Sequence, residues 1–195
     1  MRIAAAMFGL LSLAVILGST GPVDVWTTGY LQNLVPRSWD TGLSVFSLAG
    51  SFEVTTILVG VVVWRARKDW RKTAAVIAIY LAGMGIEFWG KTFLYHPNPP
   101  VPYHRYQLPF AFPTSGVDTG NSYPSGHSYR TMFLAVLTWP MIKRREYRIG
   151  LAVYTAVMLV SRVSLGEHWI SDVAGGGLLG AALGKIGTIY PKVKA

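Results

Sequence analysis

Long apolar runs separated by short basic turns dominate this chain, and that alternation leaves it few ways to fold. The runs cover 3–19, 43–64, 73–95, 129–142, 149–163 and 169–190. A helix satisfies its own backbone hydrogen bonds, so about 20 apolar residues suffice to cross a hydrocarbon core of roughly 30 Å. Six such runs predict an all-α polytopic integral membrane protein, a six-transmembrane-helix bundle in which 1–195 forms a single domain. Hydrophobic residues make up 51% of the chain and charged ones 14%, too apolar for an ordinary soluble domain. The run at 129–142 is short for a crossing, and polar residues from Ser125 onward extend it. The first run follows Arg2 in the manner of a signal peptide, but no Ala-x-Ala cleavage site comes after it, so a retained helix is expected. Segment 21–40, with Pro22, Trp26, Tyr30, Pro36 and Trp39, is predicted to be an amphipathic loop lying at the membrane interface.

The net charge of +9 would point a soluble protein towards nucleic acid. Here the cations sit between apolar runs, so the partners expected are membrane lipids and no nucleic acid. Six crossings place both termini on one side, together with thirteen of the 18 lysines and arginines: Arg2, Arg65, Arg67, Lys68, Arg71, Lys72, Lys143, Arg144, Arg145, Arg148, Lys185, Lys192 and Lys194. The positive-inside rule makes that side cytoplasmic, in an inner cell membrane. Arg37, Lys91, Arg105, Arg130 and Arg162 fall on the outer side, and three of them flank histidines. The absence of cysteine excludes disulfides and thiolate metal sites.

The chemistry concentrates at Ser161 to Asp172, Ser-Arg-Val-Ser-Leu-Gly-Glu-His-Trp-Ile-Ser-Asp. If the chain is helical from His168 on, Asp172 lies one turn later on the same face and can accept the Nδ1 proton, which leaves Nε2 free. A histidine held that way is a competent nucleophile or base, and Arg162 offers a planar fork of donors to a phosphate or carboxylate. Tyr123-Pro124-Ser125-Gly126-His127-Ser128 precedes the fourth run, with Ser125 as its N-cap and free first-turn amides as an anion site. Gly126 permits close approach of an anion, His127 stands beside it, and Lys91 ends the third run on the same side. Together these groups meet the needs of phosphoryl transfer through a covalent intermediate: a nucleophile, an acid for the leaving group, and positive groups for the equatorial oxygens.

Pro124-Ser125-Gly126-His127 and Ser161-Arg162-x5-His168-x3-Asp172 resemble the second and third motifs of the type 2 phosphatidic acid phosphatase (PAP2) superfamily, with core motifs spanning 91–172. The resemblance implies a metal-independent membrane lipid phosphatase with its site on the extracytoplasmic side and no cofactor. It makes His168 the nucleophile that forms a phosphohistidine, Asp172 its orienting partner and His127 the acid. It assigns the phosphate to Lys91, Ser125, Gly126 and Arg162. The family's first motif, Lys-x6-Arg-Pro, reads Lys91-x6-Asn98-Pro99 here, so an uncharged amide stands where the motif has a cation. Arg105 and Arg130 are candidates to supply the missing charge. By analogy with the family, undecaprenyl diphosphate ranks ahead of phosphatidic acid and phosphatidylglycerophosphate as substrate. A lipid phosphotransferase or a non-hydrolysing lipid-phosphate binder or transporter is the alternative.

Other features have plainer readings. Lys91 can pair with Glu87 one turn earlier. His96 and His104 raise the question of a metal, but no His-x3-His pair exists and Lys91 and Arg162 would repel a cation. Glu53 is expected mid-membrane as a buried hydrogen-bonding carboxylate. Gly176, Gly180 and Gly184 form a small-residue stripe suited to packing inside the bundle, with a homodimer seam as the alternative. The tryptophans at 26, 39, 64, 70, 89, 139 and 169 are expected to be interfacial anchors.

Overall fold

The computed structural model describes residues 1–65, 69–113 and 120–189. Arg67, Lys68, Lys192 and Lys194 from the cation count, Tyr190 at the end of the last run, and 114–119 of the long loop lie outside the described residues. Eight α-helices form among those described: α1 Arg2–Ile16, α2 Gly21–Leu34, α3 Asp40–Ser47, α4 Phe52–Arg65, α5 Trp70–Phe93, α6 Gly126–Thr138, α7 Arg145–Ser164 and α8 Ile170–Ile189. The extended chain contributes one isolated bridge, Pro97 with Asn121.

Local chemistry sets several boundaries. Asp69 caps α5 by accepting the Lys72 amide, and Ser125 caps α6 by accepting that of Ser128. Gly166, at φ +69°, turns the chain after α7, and there a side chain would strike the Tyr103 carbonyl. Segment 21–40 departs from the predicted loop, since most of it is α2. Pro22 stands at the helix start, where its missing N–H costs nothing, and Asp24 lies in the first turn. This helix is inverted in polarity: Asp24 and Thr28 are buried, while Val23, Val25, Trp26, Tyr30 and Leu34 are exposed. The run at 43–64 is broken as well. Its halves meet at a 42° bend, which places Glu53 in the first turn of α4.

Among the described residues, α5 alone qualifies as a membrane span by length and apolarity, or up to three spans if the bent pairs Arg2–Ile16 with Gly21–Leu34 and Arg37–Gly50 with Phe52–Arg65 each count as one. Helix α6, at 13 residues, is too short to cross by itself, and the 20 residues of α7 include Arg145, Glu146, Arg148 and Arg162. Their outward faces are nevertheless apolar. On α7 the exposed residues Ile149, Val153, Val157 and Val160 recur at helical spacing, as do Ile3, Met7, Leu10 and Leu13 on α1.

The core lies between α4, α5, α6 and α8, around Tyr80, Tyr129, Phe133, Leu137 and Leu179. The glycine stripe of α8 is used here. A Cβ on Gly176 would strike the Ser125 carbonyl and one on Gly180 that of Tyr129, while one on Gly184 would come within 2.9 Å of that of Phe133. The stripe therefore packs α8 on α6 inside the bundle.

Candidate active site

Three helix ends converge at the site: the start of α6, the end of α7 and the start of α8. Arg162 occupies the last turn of α7, and the turn at Gly166 brings the chain back so that the Glu167 and His168 amides both donate to the Arg162 carbonyl. His168 thus precedes α8 rather than lying in it. Asp172 is the third residue of that helix, and its Oδ2 accepts the Trp169 amide at 2.9 Å, the reach-back of a capping box. The same oxygen lies 3.4 Å from His168 Nδ1, which leaves Nε2 as the available ring nitrogen. The Asp172 carbonyl accepts the Ser125 amide at 3.0 Å, so the two motifs are joined backbone to backbone.

Glu87 links the cations on the other side. It lies on α5, 9% exposed, and accepts Lys91 Nζ at 3.0 Å and Arg130 Nη1 at 2.9 Å. Gly126 is held against this pair, since a Cβ there would strike the Glu87 carboxylate. Half-buried His127 feels the charges of Arg162, Arg130, His168 and Lys91. Gly50, at the break between α3 and α4, packs on it, and a Cβ there would come 3.1 Å from His127 Cδ2. Burial pushes the His168 imidazole down, with Asp172 opposing and Lys91 and Arg162 reinforcing, so the ring favours its neutral form.

The arginines carry unused donors. Arg162, 3% exposed, donates through Nη2 to Glu167 at 3.1 Å and stacks over Tyr106, but its buried Nε and Nη1 have no partner among the described residues. Arg130 Nε is in the same position. Buried guanidinium donors without acceptors are costly unless an anion takes them up.

A model of the PAP2 superfamily matches residues 71–194, well over half of the chain. The chain belongs to the PAP2 superfamily. The solved structure of the first transmembrane PAP2 type phosphatidylglycerolphosphate phosphatase from Bacillus subtilis superposes with TM-score 0.74 at 17% identity, over 97% of this chain and 94% of that one. LpxE of Aquifex aeolicus superposes with TM-score 0.66 at 20% identity, over 85% of this PAP2 chain and 94% of the other. At these identities the likeness is one of fold. A search of curated protein sequences found no match.

Not every candidate joins this PAP2 cluster. Asn98 is exposed, although its loop is pinned to the site by Trp169 Nε1, which donates to the Pro97 carbonyl at 2.7 Å. Trp169 is accordingly buried at 8% exposure, unlike the other six tryptophans, which are exposed. Arg105 is directed elsewhere: Nε and Nη2 grip Asp40 at 3.0 and 2.5 Å, and Nη1 and Nη2 donate to the Gln32 and Val35 carbonyls. His104 is exposed. His96 is buried beside Asp172, which its sequence neighbours do not signal.

Proposed function

We propose that this PAP2 chain is a membrane-embedded lipid phosphatase that hydrolyses a phosphomonoester or diphosphate through a phosphohistidine on His168, without a metal. The observation that carries the reading is the neutral-leaning His168 held by Asp172 beside two buried arginines with unused donors. His168 Nε2 attacks phosphorus, and the N–P bond forms as the P–O bond to the leaving group breaks. His127 gives that oxygen a proton. Water then attacks phosphorus, its proton passes to His127, and the N–P bond breaks to release phosphate. Arg162, Lys91 and the first-turn amides of α6 after Ser125 and Gly126 hold the equatorial oxygens. Arg130 supplies the cation absent at Asn98, and its pairing with Glu87 beside Gly126 supports that role.

In this reading α1, the α3–α4 pair, α5, α6, α7 and α8 make six crossings. The termini are cytoplasmic and the histidines face the opposite side, within reach of a lipid headgroup. Undecaprenyl diphosphate is the favoured substrate, ahead of phosphatidic acid and phosphatidylglycerophosphate. The test is phosphate release in detergent with EDTA from these three lipids by wild type and His168→Ala. Release that disappears in the variant supports the reading. Tight binding without release by folded wild type would instead favour a lipid-phosphate binder.

A further inference from the structure

Behind Asp172 lies a histidine that the mechanism above leaves without a task. His96 is 7% exposed in the loop after α5. Its Nδ1 lies 3.3 Å from Asp172 Oδ1 and 3.1 Å from Ser122 Oγ, and its Nε2 lies 3.4 Å from Asp24 Oδ2 and 3.2 Å from Ser171 Oγ. Asp24, 2% exposed on α2, accepts both the amide and the hydroxyl of Ser171 at 2.9 Å. Asp24, His96, Asp172 and His168 therefore form a buried row in which acids and imidazoles alternate.

The electrostatics of that row are unequal before and after phosphoryl transfer. Asp172 is fully buried, and its Oδ1 accepts no well-directed hydrogen bond among the described residues, so its contact with His96 is one of charge. His168 must be neutral to attack, which would leave the Asp172 carboxylate buried without a cation. We propose that His96 is a positioning residue for phosphoryl transfer: an imidazolium held between Asp24 and Asp172 that keeps the Asp172 carboxylate aligned on His168. This inference rests on the phosphatase reading. Two carboxylates and one imidazolium leave the resting row one positive charge short. The phosphoimidazolium of His168 supplies it, so the row stabilises the reacting state more than the resting one.

The groups facing His96 are consistent with a retained proton. Burial pulls the imidazole down, but Asp24 and Asp172 outweigh it and hold the proton above the ordinary range. Tyr123, ahead of α6 with its ring centroid 6.2 Å away, has its phenol pushed up to about 12 by burial and stays neutral. Thr20, Ser122 and Ser171 complete the surroundings and carry no charge.

The experiment follows phosphate release against pH for wild type, His96→Gln and Asp24→Asn, with folding checked by thermal unfolding. Wild-type kcat should fall on an alkaline limb above about pH 6.5 as His96 loses its proton. His96→Gln should lower kcat about 10-fold or more with little change in KM, on the scale of removing an outer partner of a working imidazole. Asp24→Asn should move the alkaline limb to lower pH, because the carboxylate that raises His96 is gone. A limb set by His127 would not move. A purely structural role would reduce the amount of folded enzyme and leave the limb in place. The proposal is overturned by wild-type kcat that is flat from about pH 6.5 to about 9, by folded His96→Gln with unchanged kcat, or by a limb unmoved in Asp24→Asn. If His96→Gln does not fold, the wild-type and Asp24→Asn profiles decide. Wild type that releases no phosphate overturns the phosphatase reading itself, a separate outcome.

Discussion

Arg162 has a buried guanidinium with Nη2 on Glu167 and two further donor nitrogens without acceptors among the described residues. Lysine would keep the charge but lose the planar fork, so Arg162→Lys should cut kcat/KM about 100-fold, or roughly 2.7 kcal/mol of transition-state binding, in steady-state phosphate release. In the proposed mechanism His168 sets the acid side of the profile. There its neutral form attacks phosphorus, and burial lowers its affinity for a proton. The neutral ring therefore persists below the unperturbed value, and the acid limb of kcat/KM should fall below about pH 6.5. Arg162, His168 and Asp172 were legible in the sequence because their spacing lies within one helix end and the next helix start. Glu87 was visible only as the partner of Lys91, and its second bond, to Arg130 43 residues away, appears only when α5 and α6 pack.

Helix α8 shows which face it buries through the glycines that are crowded on it. Gly180 and Gly177 lie one turn apart on α8, yet a Cβ on Gly180 would meet the Tyr129 carbonyl and Met132 Cβ, whereas one on Gly177 would meet only Met132 Cε at 4.0 Å. Gly180→Ala should therefore destabilise the protein by about 1–3 kcal/mol, while Gly177→Ala should cost nothing, read as thermal unfolding in one detergent. The start of α6 was readable from its capping residue Ser125, whereas α5 begins at Trp70 behind the Asp69 cap, ahead of the apolar run at 73. Helix α2 was not readable, because its polar residues Asp24 and Thr28 face inward and its apolar ones outward, the reverse of a soluble amphipathic helix. The 101° turn between α1 and α2 passes through Gly18 at φ +66°, and one glycine in an apolar run does not reveal an angle.

Across the whole molecule, the long loop is tied to the first helices by buried charge. Arg105 grips Asp40 and the α2 end through four hydrogen bonds, and its own amide donates to the Leu165 carbonyl beside the site. Removing one partner strands the other, so Arg105→Ala should cost about 3–5 kcal/mol, and the double variant Arg105→Met with Asp40→Leu should be more stable than Arg105→Ala in the same unfolding assay. Membrane character, helical class and the chemistry of each motif follow from local order, since hydropathy, capping and the reach from His168 to Asp172 act over a few residues. The meeting of Asp24 with Ser171, 147 positions apart, does not. It depends on how side-chain volumes on α2 and α8 fit together with the loop that carries His96. That fit is a property of packed surfaces, so the row behind Asp172 was decided by tertiary structure alone.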